Sequence, residues 1–195
     1  MLPIWKKEII LKIKKGLEDG KKLSFIHAPK CGGCTASQYI NQCNIKNKGH
    51  NIVNENDELT FAIIREPIKR FESLLNYRLG EERPRFDFPK RLRHVHFNKS
   101  ITLNEIITEL TIDDINILKP YKTLVYWCQN VDLLITIEEL NETIELLGFT
   151  IDNTNFKDIN VSIKERGTLN EESKEKIAEF YKEDIELYKY WTRKE

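Results

Sequence analysis

Two short segments of the chain carry residue types that could do chemistry. The first is Phe25-Ile-His-Ala-Pro-Lys-Cys-Gly-Gly-Cys-Thr35. An apolar run ends in Pro29 and Lys30, two glycines follow, and small thiol or hydroxyl residues open what reads as a helix. Glycines let backbone N–H groups turn inward, and a helix N-terminus carries partial positive charge. Lys30, Cys31, Gly32, Gly33, Cys34 and Thr35 are therefore a physical recipe for holding a phosphate or sulfate. The segment is not a Walker A loop, in which the Lys follows the last Gly, because Lys30 precedes both glycines. An ordinary Gly-containing turn between a strand and a helix has the same composition. Cys31-Gly-Gly-Cys34 is also a C-x-x-C at a helix N-terminus, where the dipole lowers a thiol pKa, so a thiol–disulfide oxidoreductase is a rival reading. Zinc is a weaker one. Cys43 and Cys128 make no second C-x-x-C and no paired His completes a ligand set, so no metal is expected.

The second segment is Phe61-Ala-Ile-Ile-Arg-Glu-Pro-Ile-Lys-Arg-Phe-Glu-Ser73. Arg65 stands at the end of an apolar run, and Ser73 lies eight positions on, in the first turns of a helix opened by Pro67. A guanidinium fork beside a hydroxyl can grip a second anion. Alone, such an Arg is more often a salt bridge to a neighbouring carboxylate, and such a Ser more often a helix surface residue.

Both segments need a scaffold that brings strand ends together. Residues 4–19 place Ile9, Ile10, Ile13 and Leu17 near one helical face, with Gly20 as a stop. Leu23 to His27 reads as a buried strand, and roughly Thr35 to Cys43 as a helix. Thr60 to Arg65 is a second strand, followed by a helix over about 67–79 with Pro67 in its first turn. Residues 81–99, with two prolines and many charges, read as a long surface loop. Thr102-x-x-Glu105 and Thr111-x-x-Asp114 resemble capping boxes. Leu133 to Ile137 is a third strand, leading to a helix that ends at Gly148. Thr168-x-x-Glu171 opens a last helix with Ile177, Phe180, Tyr181, Ile185 and Tyr188 at core spacing. Strands alternating with helices predict one α/β domain over 1–195 with a mainly parallel sheet, whose ligands bind beyond the carboxyl ends of its strands.

Composition narrows the partner. The 195 residues hold 31 Lys+Arg and 31 Asp+Glu, a net charge of zero, which argues against a nucleic-acid polymer as ligand. The charge is uneven, however: residues 1–100 hold 20 basic and 11 acidic side chains, and residues 101–160 hold 3 and 11. An anion site belongs in the first half. No apolar run approaches a membrane span and the lysine-studded N-terminus is unlike a signal peptide, so a cytoplasmic protein with reduced cysteines is expected. Nothing in the sequence speaks to oligomeric state.

Together the two segments resemble the sulfotransferases that use 3′-phosphoadenosine 5′-phosphosulfate (PAPS), in particular the carbohydrate-type group. Their first motif runs approximately F-I-H-I-P-K-T-G-G-T-S and stands here as FIHAPKCGGCT. Their second runs approximately F-A-x-V-R-[DN]-P-x-x-R-F-x-S and stands here as FAIIREPIKRFES. The LLITIEEL segment, Asn160-x-Ser162 and the helix containing YKEDIELYKYW agree as well. The resemblance implies a three-layer P-loop-like α/β domain with a central, mainly parallel sheet flanked by helices. It implies that Lys30 to Thr35 wrap the 5′-phosphosulfate, that Arg65 and Ser73 hold the 3′-phosphate, and that Lys164 and Arg166 make further nucleotide contacts. Lys30 would also stabilise charge on the bridging oxygen as sulfate leaves. The acceptor would be a hydroxyl of a carbohydrate or glycoconjugate, and the product 3′,5′-adenosine bisphosphate. His50, between the motifs where relatives that use a His carry it, is the first candidate for the base; His27, ending the first strand inside the motif, reads as structural, and His94 and His96 could meet an acceptor or take the base's role. Basic residues at 83–99 (Arg83, Arg85, Lys90, Arg91, Arg93, Lys99) would suit an anionic glycan. Departures from the pattern are Cys31, Cys34 and Thr35 for Thr, Thr and Ser, Glu66 for Asp or Asn, and no His or Gln around Pro120. A non-catalytic nucleotide-binding protein on the same fold is the remaining alternative.

Overall fold

The computed structural model describes residues 1–54, 58–79, 89–92, 98, 100–151 and 167–195. Lys164, Arg166, Asn160, Ser162, His94 and His96 lie outside the described residues, as do the side chains of Arg83, Arg85, Arg91, Arg93 and Lys99.

Among the described residues, four strands form one all-parallel sheet: β1 (Leu23–His27), β2 (Lys46–Asn47), β3 (Leu59–Ile63) and β4 (Leu133–Ile135). Their spatial order is β2-β1-β3-β4. All five residues of β1 are buried, the pattern of a central strand covered on both faces. Helices α1 (Ile4–Glu18), α2 (Gly33–Ile40), α3 (Pro67–Leu79), α4 (Leu103–Glu109), α5 (Ile112–Ile117), α6 (Leu124–Trp127), α7 (Leu140–Leu147), α8 (Glu171–Phe180) and α9 (Lys182–Thr192) flank it. The chain is thus α/β with a four-stranded parallel sheet.

The strand order locates the place where a ligand would sit. After β1 the chain moves outward to β2 on one side, and after β3 it moves outward to β4 on the other. The connections diverge between neighbours β1 and β3, so a crevice opens beyond their carboxyl ends. Those are the two strand ends that carry the Lys30 and Arg65 segments.

Several elements match their sequence signals to the residue. β1 and α3 do so, and Thr102 with Glu105 and Thr111 with Asp114 close reciprocal capping boxes on α4 and α5. Gly20 and Gly148 follow α1 and end α7 in the left-handed region, at φ +88° and +93°.

Four boundaries differ. α2 begins two residues earlier than expected, because Gly32 at φ +86° is its N-cap, and ends at Ile40, where the chain tightens into turns through Asn41 to Cys43. β3 stops at Ile63, although Ile64 still donates to the Ile135 carbonyl at 2.8 Å. β4 stops at Ile135, because Glu139 accepts the Thr136 N–H and turns Ile137–Glu139 into a short 3-10 segment. The last helix is two helices. Asn170, not Thr168, caps α8, and the chain leaves helical geometry at the buried Tyr181 before α9. β2, two exposed residues long, had no readable signal.

Buried side chains form two clusters. One surrounds the sheet, including Phe25, Ile26, Phe61, Ile63, Leu134 and Trp127. The other lies between α3, α4 and α8 and includes Phe71, Leu75, Ile106, Tyr121 and Ile177. Leu92, in the stretch expected as surface loop, is buried in this second cluster. Among the described residues no helix is long and apolar enough to cross a membrane.

Candidate functional site

A cleft of about 640 Å³ opens at the carboxyl ends of β1 and β3. It is lined by Lys30, Cys31, Gly32, Gly33, Cys34, Thr35, His50, Arg65 and Ser73, the residues the sequence assigns to the donor and the base, while Lys90 of the basic 83–99 stretch does not line it. The segments also touch directly, since an Arg65 guanidinium nitrogen donates to the Lys30 carbonyl at 3.3 Å.

The first loop is held in an unusual backbone course. Lys30 has φ +65°, a conformation that costs a side-chain-bearing residue energy, and Gly32 follows at φ +86°. Gly33 is required for a different reason. A Cβ there would fall inside the His27 imidazole, so α2 can sit this close to β1 only with glycine. The result brings the first turn of α2 to the cleft wall. Its N–H groups lack intrahelical acceptors, and Gly32 offers no side-chain cap.

The second loop is fastened through Glu66 and Arg70. Glu66 accepts the Ile68 and Lys69 N–H groups at 3.1 and 2.8 Å, so this Glu still caps α3 where Asp or Asn was the expected residue. Arg70 is a buried strut. Its guanidinium donates to the carbonyls of Pro29, Pro120 and Lys122 at 3.1, 3.3 and 2.8 Å and pairs with buried Asp184 at 3.8 Å. The stretch Leu118 to Lys122, which lacks His and Gln, thereby contributes backbone carbonyls that hold Arg70.

His50 is placed by the strand it faces. Lys48 donates to the Phe25 carbonyl, Gly49 accepts the His27 N–H, and His50 Nδ1 lies 2.9 Å from the His27 carbonyl oxygen. A carbonyl can only accept, so Nδ1 carries the proton and the neutral ring keeps its lone pair on Nε2. His50 is exposed and its ring meets that of His27 edge-on at 4.3 Å. His27 itself is buried, and burial, with the neighbouring His50, pushes its pKa down to about 4. It is a neutral packing residue.

The two cysteines of the C-x-x-C have different surroundings: both are free thiols, Cys31 buried and Cys34 exposed. Burial pushes the Cys31 thiol up to about 11, against the pull of Arg70 and Arg65, and so disfavours a thiolate at that position.

The cleft holds residues that were not anticipated. Lys69, Tyr77 and Arg78 enter from α3, Thr136, Ile137 and Glu138 from the end of β4, and Tyr188 from α9. Tyr77 could have been read, since it lies four residues after Ser73 on one helix. Glu138 follows a third strand end and had the same signal as Lys30 and Arg65. Tyr188 had none, because only the fold brings α9 here. Burial and the carboxylates Glu138, Glu66 and Glu139 raise its pKa.

A parallel α/β protein with a cationic cleft at the divergence of its strand order is the class that fold and site define. Comparisons with protein-family models, curated proteins and solved structures gave no match.

Proposed function

We propose that this chain is a PAPS-dependent sulfotransferase on a P-loop-like fold, moving a sulfuryl group to a hydroxyl of a carbohydrate or glycoconjugate. The observation that carries the reading is convergence: the Lys30 loop and the Arg65/Ser73 segment, 35 residues apart at their contact, meet in one cleft with His50 on its wall. A donor bearing anions at two ends of one nucleoside needs two cationic sites at fixed separation, and adjacent strand ends supply them. The cleft volume is that of an ordinary small-molecule site.

In this reading the α2 N-terminus and Lys30 take the 5′-phosphosulfate, and Arg65 with Ser73 takes the 3′-phosphate. The acceptor oxygen forms a new bond to sulfur as the bond to the bridging phosphate oxygen breaks. Lys30 neutralises the charge left on that oxygen, an interaction strongest in the transition state. His50 Nε2 receives the acceptor proton.

Thermal melting tests the proposal. A selective rise in Tm with 3′,5′-adenosine bisphosphate over AMP and ATP, abolished by Arg65→Ala, is the expected result. No rise at millimolar bisphosphate overturns it. Selective binding with no sulfate transfer to a broad acceptor panel would instead favour a nucleotide-binding protein without catalysis.

A further inference from the structure

The Lys30 ammonium lies 4.2 Å from the centre of the Tyr77 ring, and the Arg78 guanidinium lies 5.4 Å from the same centre. Both distances are within range of attraction between a cation and the face of an aromatic ring. Tyr77 is half-buried and lines the cleft one helical turn beyond Ser73. The arrangement has a purpose that neither segment alone explains. Lys30, Arg65, Lys69 and Arg78 share the cleft with Glu66 and Glu138, so cations outnumber carboxylates there and repel one another. A lysine side chain is a flexible four-carbon stem, and each contact along it narrows the positions its charge can take. The backbone of Lys30 already sits in a left-handed conformation, so the side chain starts from a fixed direction. The ring then holds the ammonium inside the cleft.

We propose that Tyr77 is a positioning residue for Lys30, its aromatic face pre-organising the ammonium for the anionic end of the ligand. The proposal rests on the sulfotransferase reading for the identity of that ligand, but the contact itself is testable without it. Pre-organisation lowers the cost of binding because the side chain is ordered beforehand. The hydroxyl of Tyr77 is not needed for this, and the ring is.

The first measurement is a carbon–proton NMR spectrum of the lysine side chains in the full chain, with Lys30 assigned by its loss in Lys30→Arg. The Lys30 Hε resonance is expected upfield from ring current, retained in Tyr77→Phe and lost in Tyr77→Leu. The second is calorimetric affinity for 3′,5′-adenosine bisphosphate and for inorganic pyrophosphate, with circular dichroism confirming that each variant is folded. Tyr77→Leu should weaken binding roughly two- to fivefold, Tyr77→Phe should match the parent, and Tyr77→Leu should have no further effect once Lys30→Met is present. Equal losses from Tyr77→Leu in both backgrounds, or a Phe variant as weak as the Leu variant, would overturn the proposal. If the parent chain binds neither anion, the sulfotransferase reading fails and the NMR shift alone decides: a Lys30 resonance unmoved by Tyr77→Leu rejects the positioning role.

Discussion

His50 takes its chemical character from one backbone oxygen. The His27 carbonyl fixes the proton on Nδ1 and leaves the lone pair on Nε2. His50→Ala should therefore keep the bisphosphate-induced rise in Tm while losing sulfate transfer, measured with any acceptor the panel identifies; full turnover in the variant would assign the base elsewhere. A thiol two residues from a helix start looks activated in sequence, yet Cys31 is buried and its pKa pushed up to about 11. At pH 8, iodoacetamide should modify exposed Cys34 and leave Cys31 intact in the native protein, as read by fragment mass spectra. The contrast shows what residue types alone convey. The meeting of Lys30, Arg65 and Ser73 in one cleft was legible because the first two follow strand ends and Ser73 stands on the helix that Pro67 opens after the second. The state of Cys31 was not, because its burial is set by the fold, which also brings the distant Arg70 within electrostatic reach.

At the level of elements, α2 depends on a contact that tolerates no side chain. Gly33→Ala would drive a methyl group into the His27 ring and should cost about 1–3 kcal/mol in urea denaturation, the range for forcing atoms into a packed site. Gly20→Ala, where an added Cβ meets nothing, should cost only the strain of its positive φ. β1 could be read to the residue because five apolar-patterned positions sit between charge and proline. β2 could not, since two polar residues held by pairing with Ser24 and Phe25 have no local signature. The break at Tyr181 was hidden for the opposite reason. Its position continues the apolar helical period, and its hydroxyl bond to the Tyr121 carbonyl and the bonds of Asp184 three residues later are long-range contacts that no local pattern announces.

For the molecule as a whole, acid should destabilise through His27. Its folded pKa lies at about 4, below the ordinary 6.5, so the unfolded chain binds the proton first as pH falls. Stability from this group is complete above pH 6.5, is lost between 6.5 and 4, and amounts to about 3 kcal/mol by the lower limit. Asp184, whose pKa burial raises, works in the opposite direction, so the difference between the parent and His27→Gln across that window isolates the effect. A parent curve parallel to that of the variant would refute it. The Arg70–Asp184 pair acts at the same scale. Asp184 accepts the Leu124 and Val125 N–H groups beside the sheet cluster, while Arg70 approaches Tyr181 of the second cluster and the Pro29 carbonyl. Removing one partner of such a buried pair costs about 3–5 kcal/mol. Arg70→Met should do more than lower the midpoint of denaturation: with one buried tie between the two clusters cut, the single sharp transition should broaden. The second arginine of the Arg65–Ser73 segment would then contribute to the cooperativity of unfolding as well as to the loop it fastens.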